Sequence, residues 1–239
     1  MSKNMLSIII PAYNEEYRIT RTLLDIKNTL SGQFFDYEIL VVNDGSLDNT
    51  VFVVEKLKKQ IPKLRLIDNN KNHGKGFAVK EGMLKASGDF RLFMDADNST
   101  KVSEIIKILP YFARGFDIII GSRRLPDSKV VIEHNWVRDF LGSVFRMLVR
   151  VIVPLGVTDS QCGFKIFTKK AANMIFPEQS VLGWAFDVEI LAIARKNKLK
   201  IKEVPVVWEN NADSQMNFSG MVKSFFEIIK IRLKLWRIK

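Results

Sequence analysis

Short, almost uninterrupted apolar runs recur along the chain, each ending abruptly in polar or turn-forming residues: "LSIIIPAYN", "YEILVVNDGS", "LRLIDNN", "FRLFMDAD" and "FDIIIGS". Segments of helical hydrophobic period lie between them. A strand that is apolar at every position must be covered on both faces, a condition met by a parallel sheet flanked by helices. Parallel neighbours need crossovers, and these are right-handed. The pattern therefore predicts an α/β chain with a Rossmann-like open, mostly parallel sheet and helices on both faces. The 239 residues, 47% of them apolar, suffice for one large core.

In open sheets of this kind ligands bind beyond the carboxyl ends of the strands. Polar residues collect there: Tyr13, Asn14 and Glu15 after the first run, Asp44 after the second, Asp95 and Asp97 after the fourth. The stretch "NHGKGFAVKEG" follows the third run and sets Gly74, Lys75 and Gly76 at the start of an expected helix. Backbone N–H groups and a lysine in that position can meet phosphate. The spacing is neither a Walker motif nor GxGxxG. Asp95 and Asp97 would repel each other if both were ionised and close, so the pair asks for a cation, a shared proton or a turn that separates them. Two apart on an extended chain, they can converge on one side. With Ser99 and Thr100 beside them they could hold a hard divalent ion, and an acid/base pair or a capped loop fits the same residues.

The formal net charge of +11 points to an anionic partner: nucleic acid, a membrane surface or a phosphorylated substrate. The aromatics fall mainly at apolar-periodic positions and no nucleic-acid-binding signature is present, so nucleic acid is not expected as a partner. One cysteine, Cys162, excludes an internal disulfide and reads as a small buried residue. His73 and His134 alone make no zinc site. The first apolar run is too short for a signal peptide's core followed by a cleavage site, and no cleaved signal is expected.

Two amphipathic stretches stand apart. In "HNWVRDFLGSVFRMLVRVIVPLGV" apolar residues recur every fourth position, while Arg138, Arg146 and Arg150 interrupt any transmembrane reading. The stretch fits either a core-packing helix or a membrane-interface helix. In "MVKSFFEIIKIRLKLWRIK" a narrow polar stripe of Lys223, Glu227, Lys230, Lys234 and Arg237 lines an otherwise apolar helix. That composition suits a lipid headgroup layer, or packing against the domain or a second subunit.

The ordered blocks "IIIPAYNEE", "VVNDGSLDNT", "NHGKG", "MDADNST", "IIGSRR", "TDSQCGFKIFT" and "GWAFDVEIL" resemble the GT-A glycosyltransferases of family 2, most closely the dolichyl-phosphate glucosyltransferases, over about residues 5 to 215. The resemblance implies a GT-A domain over residues 1–215, followed at 216–239 by the basic amphipathic helix. It implies that Pro11, Tyr13 and Glu15 form the first nucleotide-contacting loop, that Asp44 reads the base and that Lys75 lies near the donor. Asp95, Ala96 and Asp97 match the family's DxD segment, whose carboxylates hold Mg2+ or Mn2+ on the donor diphosphate, with Asp97 the direct ligand. Arg123, Arg138 and Ser143 correspond to acceptor-phosphate contacts. Gln161 and Asp187 fall in blocks that bear on the donor sugar or organise its loop. Asp95, Asp97 and Arg123 are then the catalytic set. Two positions depart from mannosyl relatives, Ser99 replacing a metal-binding glutamine and Gly142 standing where those relatives place the serine, with Ser143 adjacent; a third, Gln215, replaces the family's late basic residue.

The implied activity is inverting transfer of glucose from UDP-glucose to a polyprenyl (dolichyl-type) phosphate by a peripheral protein on the cytoplasmic face of a membrane. A phosphate monoester with a second pKa near ~6 is already an anionic nucleophile at neutral pH, so no general base is required. A hydroxyl acceptor would need one, for which Asp159 or Asp187 is the candidate. The competing readings are a GDP-mannose donor or another family 2 transferase with a different lipid or glycan acceptor, a nucleic-acid-binding protein and a membrane-surface scaffold without activity.

Overall fold

The computed structural model describes residues 4–32, 35–131, 146–147, 149–209 and 218–236. Each of the five apolar runs is a strand: β1 (Met5–Ala12), β2 (Asp36–Asp44), β3 (Leu64–Asn69), β4 (Phe90–Met94) and β5 (Ile118–Ser122). The helices α1 (Ile19–Leu30), α2 (Thr50–Lys58) and α3 (Lys75–Lys85) connect the first four. Later come β6 (Lys129–Val131), β7 (Phe164–Thr168), α5 (Lys169–Ile175), α6 (Phe186–Lys196), β8 (Ile201–Pro205), β9 (Val207–Glu209) and α7 (Phe218–Trp236), with the short helix α4 (Ile105–Ile108) before β5.

Seven strands form one sheet in the order β3-β2-β1-β4-β7-β5-β8, and β6 pairs with β9 in a separate small sheet. The neighbours in the large sheet are parallel, apart from β7, which runs antiparallel to both β4 and β5. The arrangement is the open, mostly parallel α/β sheet expected from the sequence. The apolar runs are continuous because alternate residues serve opposite layers. Ile8, Ile10, Ile39, Val41, Leu92 and Met94 pack with Ile19, Leu23 and Ile26 of α1 and Val54 and Leu57 of α2. Ile9, Val42, Phe93 and Phe167 pack on the other face with α3, α5 and α6 through Val79, Met83, Ile175, Val188 and Leu191.

The chain leaves β1 toward β2 on one side and reaches β4 on the other, so the β1/β4 seam is the switch point where such sheets open a crevice. Between β4 and β5 the chain is helical only in pieces: a 3-10 turn at Val102–Glu104, the short α4 and a second 3-10 turn at Leu109–Arg114. Pro110, which has no N–H to donate, stands at the start of that last piece and stops the α-helical ladder.

Helix α7 buries Ser224, Ile228 and Ile231 against the body and leaves Phe226 and Leu233 exposed beside Lys223, Lys230 and Arg232. The polar stripe read from the sequence is therefore divided: Lys223 and Lys230 face outward, whereas Glu227 and Lys234 turn to partners on the body. Among the described residues no helix is long and apolar enough to cross a membrane. Most of the segment 134–157, including Arg138, Gly142 and Ser143, lies outside the described residues, as does Gln215.

Candidate active site

The loops after β1 and β2 are fastened to each other by side chains that cap backbone donors. The Ser46 hydroxyl accepts from the Asn14 N–H at 3.0 Å, Asn14 Oδ1 from the Leu47 N–H at 2.8 Å, and the Thr50 hydroxyl from the Glu15 N–H at 2.7 Å. Asp48 accepts from the Glu16 N–H at 3.1 Å and Glu16 returns the contact to the Asn49 N–H at 3.0 Å. Much of "AYNEE" and "NDGSLDNT" thus builds a rigid rim, and Asn14 sustains a φ of 55° within it. Pro11 is buried at the end of β1, in register with Val42, and Tyr13 emerges half-buried beyond it. Asp44 is buried, and its two oxygens accept from the backbone N–H groups of His73 (3.0 Å) and Gly74 (2.7 Å). Burial raises its pKa, and those two donors offset part of the rise. Asp44 therefore anchors the loop leading to Lys75.

At the end of β4 the acidic pair meets a cation supplied by the chain. Lys75, at the first position of α3, sets its Nζ 2.5 Å from Asp95 Oδ1 and 5.3 Å from the centre of the Trp184 ring. Burial pulls the Lys75 pKa down, but Asp95 and then Asp187 outweigh it and the pKa is raised, so the ammonium is permanent. Ala96 is buried and its carbonyl accepts from the Thr22 hydroxyl of α1 at 2.5 Å, which pins the segment between the two aspartates. Asp97 Oδ1 accepts from the Ser99 N–H at 2.9 Å, and the Ser99 hydroxyl adds a second bond. Ser99, at the place of a metal-binding glutamine, thus supports Asp97. Burial and then the neighbouring Asp95 raise the Asp97 pKa. Burial also pushes Glu15 up to about 7 against the pull of Arg18, and Asp97 and Asp95 add to the rise. Arg18 holds both Glu15 oxygens, at 2.7 and 2.9 Å.

An edge at which Asp95 raises the proton affinity of both Asp97 and Glu15 is one that a divalent ion relieves, and Asp95 and Asp97 are oxygen donors of the hard type such an ion takes. Among the described residues no group of three His, Cys, Asp or Glu side chains is arranged to hold a metal. Asp95 and Asp97 are the two carboxylates at this edge that could hold such an ion, with phosphate oxygens and water completing its shell as Mg2+ prefers.

Arg123, beyond β5, is not a solvated surface charge. Its Nε and Nη2 clasp Asp159 Oδ2 and Oδ1 at 2.8 and 2.9 Å, its backbone N–H adds a third bond at 3.0 Å, and its guanidinium carbon lies 5.4 Å from the Trp208 ring centre. Burial alone would raise the Asp159 carboxyl, yet Arg123 outweighs it and holds the pKa at about 2. Asp159 is thereby removed as the general base considered for a hydroxyl acceptor, because a carboxylate with that pKa and with both oxygens taken accepts no proton at neutral pH. Glu203 of β8 fixes this segment by accepting from the N–H groups of Thr158 and Asp159 at 2.8 and 2.9 Å.

Asp187, in the first turn of α6, is likewise committed: the fully buried Lys165 of β7 donates to its Oδ1 at 2.5 Å and to the Cys162 carbonyl at 2.7 Å. Burial raises the Asp187 pKa and pushes the Cys162 thiol up to about 12, which leaves the latter inert. Gln161 is half-buried in the turn before β7. The structure therefore brings Asp95, Asp97, Lys75 and Glu15 together at the switch point and ties Arg123 to Asp159, while Arg138 and Ser143 lie outside the described residues. Sequence reasoning missed Gly163. A Cβ there would stand 1.9 Å from Asp95 Oδ2, so glycine at this position leaves the room in which that carboxylate stands. Its place in "DSQCGFK" was the available signal.

The Glycosyl transferase family 2 model matches residues 7–176. A dolichyl-phosphate beta-glucosyltransferase of Trichomonas vaginalis is 38% identical over 98% of this chain and 73% of its own length. Enzymes of the same name from Saccharomyces cerevisiae and Homo sapiens are 34% and 33% identical, over 95% and 98% of this chain and 74% and 78% of theirs. Among solved structures, mannosyl-3-phosphoglycerate synthase from Rubrobacter xylanophilus superposes with a TM-score of 0.72 at 17% identity, covering 98% of this chain and 75% of that one. Glucosyl-3-phosphoglycerate synthase from Mycobacterium tuberculosis, in complex with Mn2+, UDP-glucose and phosphoglyceric acid, gives 0.68 at 17% identity, over 99% and 81%. These two share the fold. The family match over most of the chain, joined by relatives above 30% identity across nearly all of it, places this protein in glycosyl transferase family 2.

Proposed function

We propose that the protein is an inverting glucosyltransferase that moves glucose from UDP-glucose to a polyprenyl (dolichyl-type) phosphate at a membrane surface. The relatives at 33% to 38% identity carry the name dolichyl-phosphate beta-glucosyltransferase, which supports both the sugar and the lipid acceptor. The structural observation that carries the reading is the commitment of the carboxylates that could have acted as bases. Asp159 is held by Arg123 and Asp187 by Lys165, so each of the two carboxylates considered as a base is already engaged by a cation, whereas a phosphate monoester arrives ionised and needs no base.

In this reading the diphosphate of the donor lies over the end of β4, where Lys75 meets its oxygens and stabilises the charge that grows as UDP leaves. Asp97 and Asp95 would hold Mg2+ or Mn2+, which when bound neutralises the diphosphate. Trp184 walls the site beside Lys75. The Nε and Nη2 edge of Arg123 is occupied by Asp159, so the attacking phosphate meets the Nη1 edge, and the pair keeps the fork oriented. The acceptor oxygen attacks the anomeric carbon on the face opposite the departing diphosphate, and the carbon to UDP bond breaks as the new one forms. Peripheral membrane association, on its cytoplasmic face, is supported by the basic balance of the chain and by Phe226 and Leu233 exposed among lysines and arginine on α7.

The donor is tested by thermal denaturation with Mg2+ present. UDP-glucose at about 100 times its Kd is expected to add roughly 3 kcal/mol of stability and raise Tm, with GDP-mannose giving no shift. A shift with GDP-mannose alone would transfer the reading to a mannosyl donor.

A further inference from the structure

The wall that faces Lys75 is the segment 178–185, and it is held from two sides. On the inner side it is bonded to the first turns of α3: the Phe77 N–H donates to the Leu182 carbonyl at 3.2 Å, and Gln179 Nε2 donates to the carbonyls of Gly76 and Val181 at 2.8 and 2.9 Å. These bonds bring Trp184 over the Lys75 ammonium.

On the outer side the partners come from α7. Glu227 Oε2 accepts from the Ala185 N–H at 3.3 Å, and its Oε1 sits so close that a Cβ on Gly183 would lie 2.6 Å from it. Two turns later, Lys234 Nζ donates to the Glu178 carbonyl at 3.0 Å, the Ser180 hydroxyl at 3.0 Å and Glu189 Oε1 at 2.9 Å. The buried Glu189 in turn accepts from the N–H groups of Ser180 and Val181 at 2.8 and 2.7 Å. The helix thus grips the start of the segment through Lys234 and its end through Glu227.

We propose that Glu227 and Lys234 are positioning residues for transfer: the C-terminal helix clamps 178–185 at both ends and so sets where Trp184 and Lys75 stand against the donor diphosphate. This inference rests on the proposed function for its kinetic consequence and on geometry alone for the placement of Trp184. Neither residue touches substrate; each acts through the backbone it holds.

Two measurements test it. In turnover of UDP-glucose, normalised to folded protein, Glu227→Ala is expected to lower kcat about 10-fold with the acceptor KM unchanged. Glu227→Gln, which keeps an oxygen for the Ala185 N–H, recovers most of it. Gly183→Ala displaces the same carboxylate, so the double variant Gly183→Ala/Glu227→Ala is no slower than either single one. A clamp that only adds stability would lower Tm, leave kcat unchanged and give additive effects, and that result overturns the proposal. The second measurement needs no activity. With Trp136, Trp208 and Trp236 changed to Phe, acrylamide quenching of Trp184 should rise about twofold in Glu227→Ala and in Lys234→Met. Unchanged quenching in both variants would show that α7 does not place Trp184, whatever the donor. A wild-type protein inactive on UDP-glucose with quenching raised as expected would overturn the proposed function and leave the clamp standing.

Discussion

Gly163→Ala is expected to remove nearly all transferase activity from a protein that still folds. Gly163 immediately precedes β7 and its carbonyl accepts from the Asp95 N–H at 3.1 Å, so the chain enters β7 directly behind the acidic edge. A methyl group at this position would stand 1.9 Å from Asp95 Oδ2 and 2.3 Å from its carboxyl carbon, well inside any van der Waals contact. The carboxylate has to swing off Lys75, or the β4/β7 seam has to open. Either would displace an oxygen of the proposed metal site by about an ångström, and a misplacement of that size lowers turnover by about 100-fold. Gly163 is not among the glycines with positive φ, so the backbone itself accepts alanine and the fold remains. UDP release with UDP-glucose and a polyprenyl phosphate, read beside a thermal melt, measures both halves. Full activity in this variant would show that Asp95 does not act where the structure puts it.

Lys165→Ala is expected to be the most destabilising single change. The Lys165 side chain is fully buried on β7, with its ammonium against Asp187, the Cys162 carbonyl and the face of Phe93 at 5.1 Å. Its removal leaves the Asp187 carboxylate in the interior with its ion-pair partner gone, which costs about 3–5 kcal/mol. For a chain of this length that is a fall in Tm of roughly 10 °C or more. Lys165→Met/Asp187→Leu removes both charges and is expected to recover most of the loss, since a buried pair replaced by apolar residues of similar size is often neutral. Urea unfolding of the single and double variants tests this. Equal losses in both would place the cost in packing and not in the orphaned charge.

What could be read from the sequence is what burial on both faces writes into it. Ile8 and Ile10 serve one layer and Ile9 the other, so the first strand is apolar throughout and visible; β2, β4 and β5 follow the same rule. The strand β7 was legible only as a family block, because Lys165 interrupts its apolar run and its antiparallel insertion between β4 and β5 follows no local pattern. In the candidate site, Asp95, Asp97 and Lys75 were legible because each stands at an element terminus. Their partners were not, since Lys75 and Asp95 are 20 positions apart and Arg123 and Asp159 are 36. Charge pairing across such separations is decided by strand order. The same holds for Glu227, which reads as part of a solvated stripe and instead reaches Ala185, 42 positions away.

The acidic edge at the end of β4, with Lys75 beside it, is the centre on which the functional reading turns. Mass spectrometry of the lipid fraction, after incubation of the purified protein with UDP-glucose, Mg2+ and a polyprenyl phosphate, tests it most directly. The expected result is a lipid heavier by one hexose with the wild-type chain and unmodified lipid with Asp95→Ala/Asp97→Ala. Unmodified lipid from the wild type with every nucleotide sugar, or equal product from the double variant, would contradict it.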